Sequence, residues 1–480
     1  MSQNNANHYL NYINGQWQDS ADAIEVVNPA TEQVVGTIAR ARSAEVNAAV
    51  SAARHCADSG VLTAQRPVER ARIVYRIAEE IRAIAKEGVP VLVAENGKTT
   101  AQAQDEFDNA ARYFEYYAGM ADKIEGRSIP LGDDYIDFTS YEPVGVSAQI
   151  VPWNFPVDLC GRSLAPALAA GNAVVVKSPE LTPLAMTFIV TACERAGLPA
   201  GAFNLICGYG HEAGADLVNH PDIDQIVFTG SVQTGQSILR AAADRAIPCV
   251  MELGGKSAAV VFPDADLDAL DDSIDWGIFF NAGQVCSAMS RLIVHEDIYE
   301  KVVERATRLA QAQVMGDGSD TATTLTPVAS AVQRDKVLQM CQQGVEQGAE
   351  LMTGGKRPGG DGYYIEPTIF ANVSRDSDLF KHEVFGPVLS IAQFSTEEEA
   401  WDMANSTDYG LVAGVYTRDL NIAMRAAKRL RAGQVFVNEW YAGGVETPFG
   451  GVKLSGYGRE KGQEALYSYV NTKNVAIRLR

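Results

Sequence analysis

Short apolar runs alternate with helical repeats through the middle of the chain. Residues 173–177 (AVVVK) form a continuous β-branched run, which is typical of a strand buried on both faces. A helix is predicted next, near 184–196, and the same strand-to-helix unit recurs twice, with strands at 203–207 and 225–229 and helices at 211–219 and 232–244. Repeated units of this length predict a doubly wound parallel sheet, with ligands at the carboxyl ends of its strands.

Two further helical repeats precede this region, at 68–86 and 100–121. Gly- and Pro-rich breaks follow at 126–134 and 354–363, and the second of these is predicted to be a surface loop or a hairpin. The apolar runs, such as 173–176 and 258–262, are much shorter than the roughly 20 residues that cross a bilayer. With a polar N-terminus as well, the pattern predicts neither a membrane span nor a secretory signal.

Composition narrows the class of protein. The chain has 480 residues, of which 46% are hydrophobic and 21% charged, as in globular proteins. This length suggests two or three domains at roughly 100–200 residues each. A formal net charge of −20 argues against a nucleic-acid partner, because phosphate would be repelled.

The cysteines set the next question. There are seven, widely scattered and without a CxxC pair, which argues against a disulfide framework and against a metal site. We therefore expect a cytoplasmic protein, and ask whether any one cysteine is chemically active. Cys193 and Cys249 lie in a helix pattern and a strand pattern and are expected to pack, whereas Cys286 lies in a polar, glycine-containing segment that predicts an exposed turn.

Three other sites carry groups that suit catalysis or binding, each with a structural alternative. Glu252 follows an apolar run and precedes two glycines, so it is either a base facing a cleft or a solvated, ion-paired carboxylate. Asn154 lies between two prolines and is either an oxyanion donor or a turn residue. The turn at Gly230 and Ser231, between a predicted strand and helix, either binds phosphate or simply caps the helix.

Taken together, these segments resemble the NAD(P)-dependent aldehyde dehydrogenase superfamily. The segments that carry the resemblance span nearly the whole chain in the family's order: VPWNFP (151–156), ALAAGNAVVVKSPE (167–180), FTGSVQTG (228–235), MELGGKS (251–257), NAGQVCSA (281–288), HEVFGPV (382–388) and PFGGVKLSGYGRE (448–460). Chance agreement of all of them is negligible.

The resemblance implies a role for each catalytic candidate. Cys286 matches the nucleophile that attacks the aldehyde carbon, and Asn154 matches the side chain that holds the resulting oxyanion together with the Cys286 backbone N–H. Glu252 matches the general base that activates water to hydrolyse the thioester. The implied activity is NAD-dependent oxidation of an aldehyde to a carboxylate, with no metal ion.

Cofactor residues also follow from the resemblance. The matching positions are Pro152, Trp153, Lys177, Glu180, Gly230, Ser231, Leu253, Glu383 and Phe385. Lys177 and Glu180 match the pair at the adenosine ribose, and a carboxylate there would repel a 2′-phosphate. We therefore predict NAD rather than NADP as the cofactor.

The substrate pocket is where this chain departs from many relatives. Ser163 stands where the family often has lysine, and Arg162 stands where several relatives carry an aromatic residue. A guanidinium near the aldehyde could bind a substrate carboxylate, which favours a semialdehyde or a carboxylate-bearing aromatic aldehyde; the alternative is a structural salt bridge. The remaining candidates for the pocket wall are Phe155, Phe280, Trp440 and Tyr441.

The family fold implies an α/β protein in three parts. These are a Rossmann-like NAD-binding domain (1–124 and 144–253), an α/β catalytic domain (254–469) and a small β oligomerisation extension (125–143 and 470–480). The alternating C-terminal tail is predicted to be an exposed strand that needs a partner edge, and a homodimer or homotetramer is implied.

Two competing functions stay open at this point. A thiol esterase would use the same Cys286 chemistry without NAD, and a catalytically silent homologue would only bind or serve a structural role. Aldehyde-dependent formation of NADH separates both from the dehydrogenase.

Overall fold

The computed structural model describes residues 7–480, and it confirms the α/β fold class. The sheet that we call the first sheet has eight strands, in the spatial order Gly456–Tyr457, Cys249–Leu253, Gln225–Gly230, Val146–Ile150, Ala173–Ser178, Phe203–Cys207, Asn11–Ile13 and Gln16–Gln18. The five strands from Cys249–Leu253 to Phe203–Cys207 are parallel to their neighbours, and the outer ones are antiparallel.

The first sheet has the strand order of a Rossmann-like fold. Val146–Ile150 is the first of the five parallel strands along the chain, and the chain proceeds from it in one direction to Phe203–Cys207 before it returns to Gln225–Gly230 on its other side. The order therefore reverses between Val146–Ile150 and Gln225–Gly230. Ligands of such sheets bind outside the carboxyl ends of the strands at this switch point.

The predicted elements of this region are confirmed with small shifts. Ala173–Ser178 is buried at all six positions, as its unbroken apolar run requires. The helix predicted at 68–86 extends over Pro67–Asn96 and packs against helix Thr100–Met120, and it ends at Gly97 with a left-handed φ of 88°. The helix predicted at 211–219 is a π-helical turn, Gly210–Gly214, followed by Ala215–Asn219.

The second sheet has seven strands and its own hydrophobic core. Its spatial order is Glu350–Thr353, Thr368–Ala371, Val388–Phe394, Arg291–His295, Ala258–Val261, Val412–Tyr416 and Gln434–Val437. All neighbours are parallel except the first pair. The predicted boundary at 253/254 falls between the last parallel strand of the first sheet and the first strand of the second.

The chain then returns from the second sheet to the first. Strand Gly456–Tyr457 pairs with Cys249–Leu253, and helix Gly462–Tyr467 packs on helix Pro156–Ala170. Leu466 accordingly belongs to the hydrophobic core around the first sheet. Residues 456–467 therefore lie beside the first sheet, although they fall within the predicted catalytic domain (254–469). The domain boundaries stay a prediction.

Two smaller sheets complete the strands. In the extension sheet, Val470–Arg478 pairs antiparallel with Tyr135–Pro143 along nine residues, and Ser128–Ile129 lies on the other side. The other small sheet joins His8–Tyr9, Val34–Ala39 and Ala23–Val27.

The remaining helices cover the faces of the two large sheets. Their bounds are Ser43–Asp58, Met186–Arg195, Val232–Ala243, Leu267–Ile274, Tyr299–Ala312, Ala331–Glu346, Asp378–Lys381, Glu397–Asn405 and Leu420–Arg429. Within residues 7–480, no helix combines the length and the apolar character that a membrane crossing requires.

Candidate active site

Cys286 follows a short turn with unusual backbone geometry. Asn281, Ala282 and Gly283 all have positive φ values, of 49°, 53° and 71°. A β-carbon at Gly283 would come within 2.1 Å of the Gly386 carbonyl oxygen, so only glycine fits there. Two consecutive non-glycine residues in this region are strained, and such strain persists only where the surroundings over-determine it.

Side-chain amides supply that support. Gln284 donates from Nε2 to the Asn281 carbonyl (3.0 Å), and its Oε1 accepts from the Ala329 N–H (2.8 Å). Asn281 donates from Nδ2 to the Asn154 carbonyl (3.0 Å). The Asn154 side chain donates in turn to the Gln284 carbonyl (3.0 Å). Asn154 and the turn before Cys286 are thus bound to each other in both directions.

The surroundings of Cys286 differ from the exposed turn that its sequence predicts. The residue is half-buried at the wall of a pocket, because the turn folds inward against the segment 254–257. Burial raises the pKa of its thiol to about 12; the Arg162 guanidinium opposes this shift, and the Glu252 carboxylate adds to it. The other six cysteines are also free; five are buried and Cys249 is half-buried.

Glu252 lies at the carboxyl end of strand Cys249–Leu253 and is buried. Within residues 7–480, neither of its carboxylate oxygens has a hydrogen-bond partner. A β-carbon at Gly450 would come within 2.6 Å of Oε1, so this glycine leaves room for the carboxylate. Burial raises the pKa of Glu252 well above its ordinary value, and the nearby Glu460 raises it further. The solvated or ion-paired alternative does not apply to it.

Arg162 forms an ion pair with Glu460, and both side chains are buried. The guanidinium also lies 5.3 Å from the centroid of the Phe449 ring. Burial lowers the pKa of Arg162, but Glu460 and other nearby acids more than offset this, and the net shift is upward. The guanidinium thus lines the pocket beside Cys286 and pairs with a carboxylate of the chain, and its role toward a substrate carboxylate stays a prediction.

The pocket beside Cys286 has a volume of about 280 Å³. Phe155 and Phe280 stack in its wall with ring centroids 5.8 Å apart and planes inclined by 16°. Tyr441 also lines it. Trp440 does not: its indole is buried behind the wall, where Nε1 donates to the Ser287 carbonyl (3.1 Å). Its assignment to the wall was wrong because the neighbouring Tyr441, with a φ of 64°, turns toward the pocket instead.

The predicted cofactor residues lie around one edge of the first sheet. Lys177 and Leu253 are at the carboxyl ends of their strands, and Pro152 and Trp153 directly follow Val146–Ile150. The Lys177 Nζ atom is 2.9 Å from Glu180 Oε2. Gly230 ends its strand, and Ser231 caps helix Val232–Ala243 by accepting from the Thr234 N–H at 3.2 Å. The capping alternative for this turn is thus realised, at an edge where phosphate binding is also expected.

Glu383 and Phe385 face this edge from the second sheet. Glu383 Oε1 accepts from the Gly255 N–H (2.9 Å), and a β-carbon at Gly254 would come within 2.3 Å of Oε2. Burial raises the pKa of Glu383 to about 7. The Phe385 ring meets Trp153 edge to face at 5.4 Å. A groove of about 600 Å³ runs here, and Ser231, Gln233 and Glu383 are among its lining residues.

Three residues of this region were missed from the sequence. Lys98 and Glu106 form a buried ion pair beneath Asn154, and Glu460 holds Arg162. A signal for Glu106 was present, because helical spacing places it on the same face as buried Ala103 and Ala110. A carboxylate on the apolar face of a helix indicates a buried partner.

Comparison with known proteins assigns the family. The model of the aldehyde dehydrogenase family matches residues 17–475. An aldehyde dehydrogenase of Davidiella tassiana is 41% identical over 98% of this chain and 94% of its own length. Human retinal dehydrogenase 2 is 40% identical over 98% and 91%.

The solved structures agree with the sequence matches. An NAD+ complex of an aldehyde dehydrogenase from Bacillus cereus superposes with a TM-score of 0.97, at 38% identity, over 98% of this chain and 97% of the other. Both the sequence and the fold are thus shared over nearly their full length. The chain, with its half-buried Cys286 facing a pocket, belongs to the aldehyde dehydrogenase family.

Proposed function

We propose that this chain oxidises an aldehyde to the carboxylate with NAD, through covalent catalysis by Cys286. One observation carries the proposal: Cys286 and Asn154 line one pocket, and the Glu252 carboxylate, which has no hydrogen-bond partner within residues 7–480, lies near enough to Cys286 to act on the pKa of its thiol. These are a nucleophile, a donor for developing negative charge and a base.

In the first half of the reaction, the Cys286 thiol gives up its proton to water, and its sulfur forms a bond with the aldehyde carbon. The carbonyl oxygen becomes an oxyanion, which accepts from the Asn154 Nδ2–H that is not used by Gln284 and from the Cys286 N–H. A bound NAD molecule would supply the acceptor for the hydride that leaves the same carbon. The oxyanion collapses to a thioester, so that the carbon is oxidised by two electrons.

In the second half, Glu252 takes a proton from water, and the resulting hydroxide attacks the thioester carbon. The bond between sulfur and carbon breaks, which releases the carboxylic acid and restores the thiolate. The raised pKa of Glu252 suits this task, because a carboxylate with a higher pKa is a stronger base.

The residues at the sheet edge fit an NAD molecule. The N-terminus of the 12-residue helix Val232–Ala243 suits a pyrophosphate, and the groove leads from it to Glu383. Glu180 would accept from the ribose hydroxyls, with Lys177 orienting it at 2.9 Å. A bulkier residue at Gly254 would displace Glu383, which would accept from the nicotinamide ribose.

We expect the chain to form NADH when an aldehyde is added with NAD, and to use NADP less well. The Glu180 carboxylate would repel the 2′-phosphate of NADP. Glu180→Gln should therefore lower the ratio of kcat/KM for NAD to kcat/KM for NADP by about tenfold, which corresponds to the removal of roughly 1.4 kcal/mol of repulsion. Steady-state kcat/KM for both cofactors measures this. A preference of the unmodified protein for NADP would overturn the cofactor assignment.

For the substrate, we propose an aldehyde with a flat or aromatic body. The parallel Phe155 and Phe280 rings favour such a body. A carboxylate is less favoured than the sequence suggested, because Arg162 is held by Glu460. The other cation of the wall, Lys461, lies beside acids: burial lowers its pKa, and Asp158 and Glu446 oppose that shift.

We expect Phe280→Ala to lower kcat/KM for benzaldehyde by about tenfold more than for propionaldehyde, because the lost ring contact is worth roughly 1–1.5 kcal/mol. Trp276→Ala is the matched control. Trp276 is exposed and packs against Phe280, with 5.5 Å between the centroids of the two rings, but it does not line the pocket. Equal losses of kcat/KM for both aldehydes would contradict an aromatic substrate. If kcat/KM is higher for 4-carboxybenzaldehyde than for benzaldehyde, and Arg162→Ala removes that difference, Arg162 binds a substrate carboxylate.

We also propose a homodimer or homotetramer in the cytoplasm. The strand Val470–Arg478 is the outer strand of the extension sheet and is largely exposed, and such an edge favours pairing with another chain. The seven free cysteines fit a reducing compartment. A light-scattering mass equal to that of a single chain would contradict the oligomer.

A further inference from the structure

Lys98 and Glu106 form an ion pair in the interior of the protein. Lys98 follows the end of helix Pro67–Asn96, and Glu106 lies in helix Thr100–Met120. The Lys98 side chain is 0% exposed and that of Glu106 is 2% exposed. Glu106 is among the residues that line the pocket beside Cys286, but neither residue has a part in the mechanism above. Replacing such a buried pair by apolar residues is often neutral for stability, so stability alone does not explain this pair.

Each member of the pair holds the backbone beside Phe155. Glu106 Oε2 accepts from the N–H groups of Val157 (3.0 Å) and Asp158 (3.1 Å), the first turn of helix Pro156–Ala170. Lys98 donates from Nζ to the Asn154 carbonyl oxygen at 2.9 Å. The same ammonium lies 4.1 Å from the centroid of the Phe155 ring. The pair thus fixes the chain on both sides of Phe155.

The Asn154 carbonyl is also where the turn before Cys286 is attached. It accepts a second hydrogen bond from Asn281 Nδ2 (3.0 Å), and Asn281 is a left-handed residue of that turn. Lys98 and Asn281 therefore meet on one oxygen atom. The position of the Asn154 side chain relative to Cys286 depends on both bonds, because its amide is attached to the same residue.

We propose that Lys98 and Glu106 are positioning residues that orient the Asn154 amide toward the oxyanion formed on Cys286, an inference that rests on the function proposed above. Loss of either charge would let the Asn154 backbone move and would weaken a bond that matters only when the oxyanion forms. The effect should appear in kcat and be transmitted through Asn154.

The test compares Lys98→Met and Glu106→Gln with Glu95→Gln. Glu95 is a matched control: it is 1% exposed, it precedes Lys98 by three residues, and it likewise accepts from two backbone N–H groups, those of Leu184 (2.6 Å) and Ala185 (2.8 Å). All variants are assayed with NAD and an aldehyde after their melting temperatures are measured. We expect similar losses of thermal stability for the three.

Lys98→Met and Glu106→Gln should lower kcat by about 10- to 100-fold, somewhat less than the roughly 10²–10³-fold cost of removing an oxyanion donor outright. The KM for the aldehyde and the Kd for NAD should hardly change, and Glu95→Gln should keep the kcat of the unmodified protein. Hydrolysis of p-nitrophenyl acetate without NAD should fall in parallel, since it forms an oxyanion at the same place.

A double-mutant cycle with Asn154→Ala gives the decisive result. Because the effect passes through Asn154, Lys98→Met should cause little further loss of kcat in the Asn154→Ala background. Losses that multiply, or an equal loss in Glu95→Gln, would overturn the proposal. If Lys98→Met does not fold, Glu106→Gln, which keeps the side-chain shape, decides in the same cycle. Absence of NADH formation by the unmodified protein would instead refute the proposed function.

Discussion

Cys286→Ala should abolish aldehyde-dependent formation of NADH. No other described group at this end of the pocket provides a sulfur nucleophile, and loss of a nucleophile in covalent enzymes costs on the order of 10⁶ in kcat. The variant should fold normally, since Cys286 is half-buried and alanine leaves only a small gap. Assays of NADH absorbance and circular dichroism measure these two outcomes.

Cys249→Ala is the control for this variant. Cys249 is the other half-buried cysteine of the chain, so the two substitutions remove the same atoms at similar exposure. It should retain the activity of the unmodified protein. Activity of Cys286→Ala comparable to that of Cys249→Ala would eliminate the covalent mechanism. Ester hydrolysis that depends on Cys286 without any NADH formation would favour a thiol esterase. Absence of both activities in the unmodified protein would favour a silent homologue.

Glu252→Gln should separate the two halves of the reaction. Acylation does not need the base for water, so the variant should form one equivalent of NADH per site in a rapid burst. Deacylation should slow by about 10²–10⁴-fold, the usual contribution of a general base. Stopped-flow absorbance measures the burst, and mass spectrometry of the intact protein measures the trapped acyl group. Glu95→Gln, which alters another buried carboxylate, should show normal turnover.

The pH profile gives a second readout of Glu252. A base acts when it is deprotonated, and burial raises the pKa of this carboxyl well above its ordinary value. Deacylation by the unmodified protein should therefore rise with pH through a value above the usual carboxyl range, and the glutamine variant should lack that step. A variant without an NADH burst would show that Glu252 is needed before the thioester forms.

The strands of the first sheet could be predicted closely because each is marked by a pattern of neighbouring residues. The strand at 203–207 coincides with Phe203–Cys207, and that at 225–229 lacks only Gly230. A fully buried parallel strand needs a continuous β-branched run, and this pattern is visible in sequence. The rule that ligands lie at carboxyl ends then points to the turn at Gly230 and Ser231, and the family resemblance adds Lys177 and Leu253.

The site residues of the second sheet could not be predicted from this rule. Cys286 precedes strand Arg291–His295, and Glu383 precedes Val388–Phe394, so both lie at the amino ends of parallel strands. The rule for open sheets points to the opposite edge. Only the link 254–257, which runs from the carboxyl end of Cys249–Leu253 to the amino end of Ala258–Val261, brings the two edges face to face. Such a juxtaposition is a property of the assembled sheets.

The sequence by itself determined the α/β class, the parallel strands and, through the family motifs, the three catalytic candidates. Only the tertiary structure determined which partner, if any, each buried charged side chain of the site has. Arg162 pairs with Glu460, a residue 298 positions away, and Glu252 has no hydrogen-bond partner within residues 7–480. Strand and helix patterns depend on neighbours a few residues away, whereas burial of a charge and its partner depend on distant segments, which is why the pocket's electrostatics could not be read from the chain.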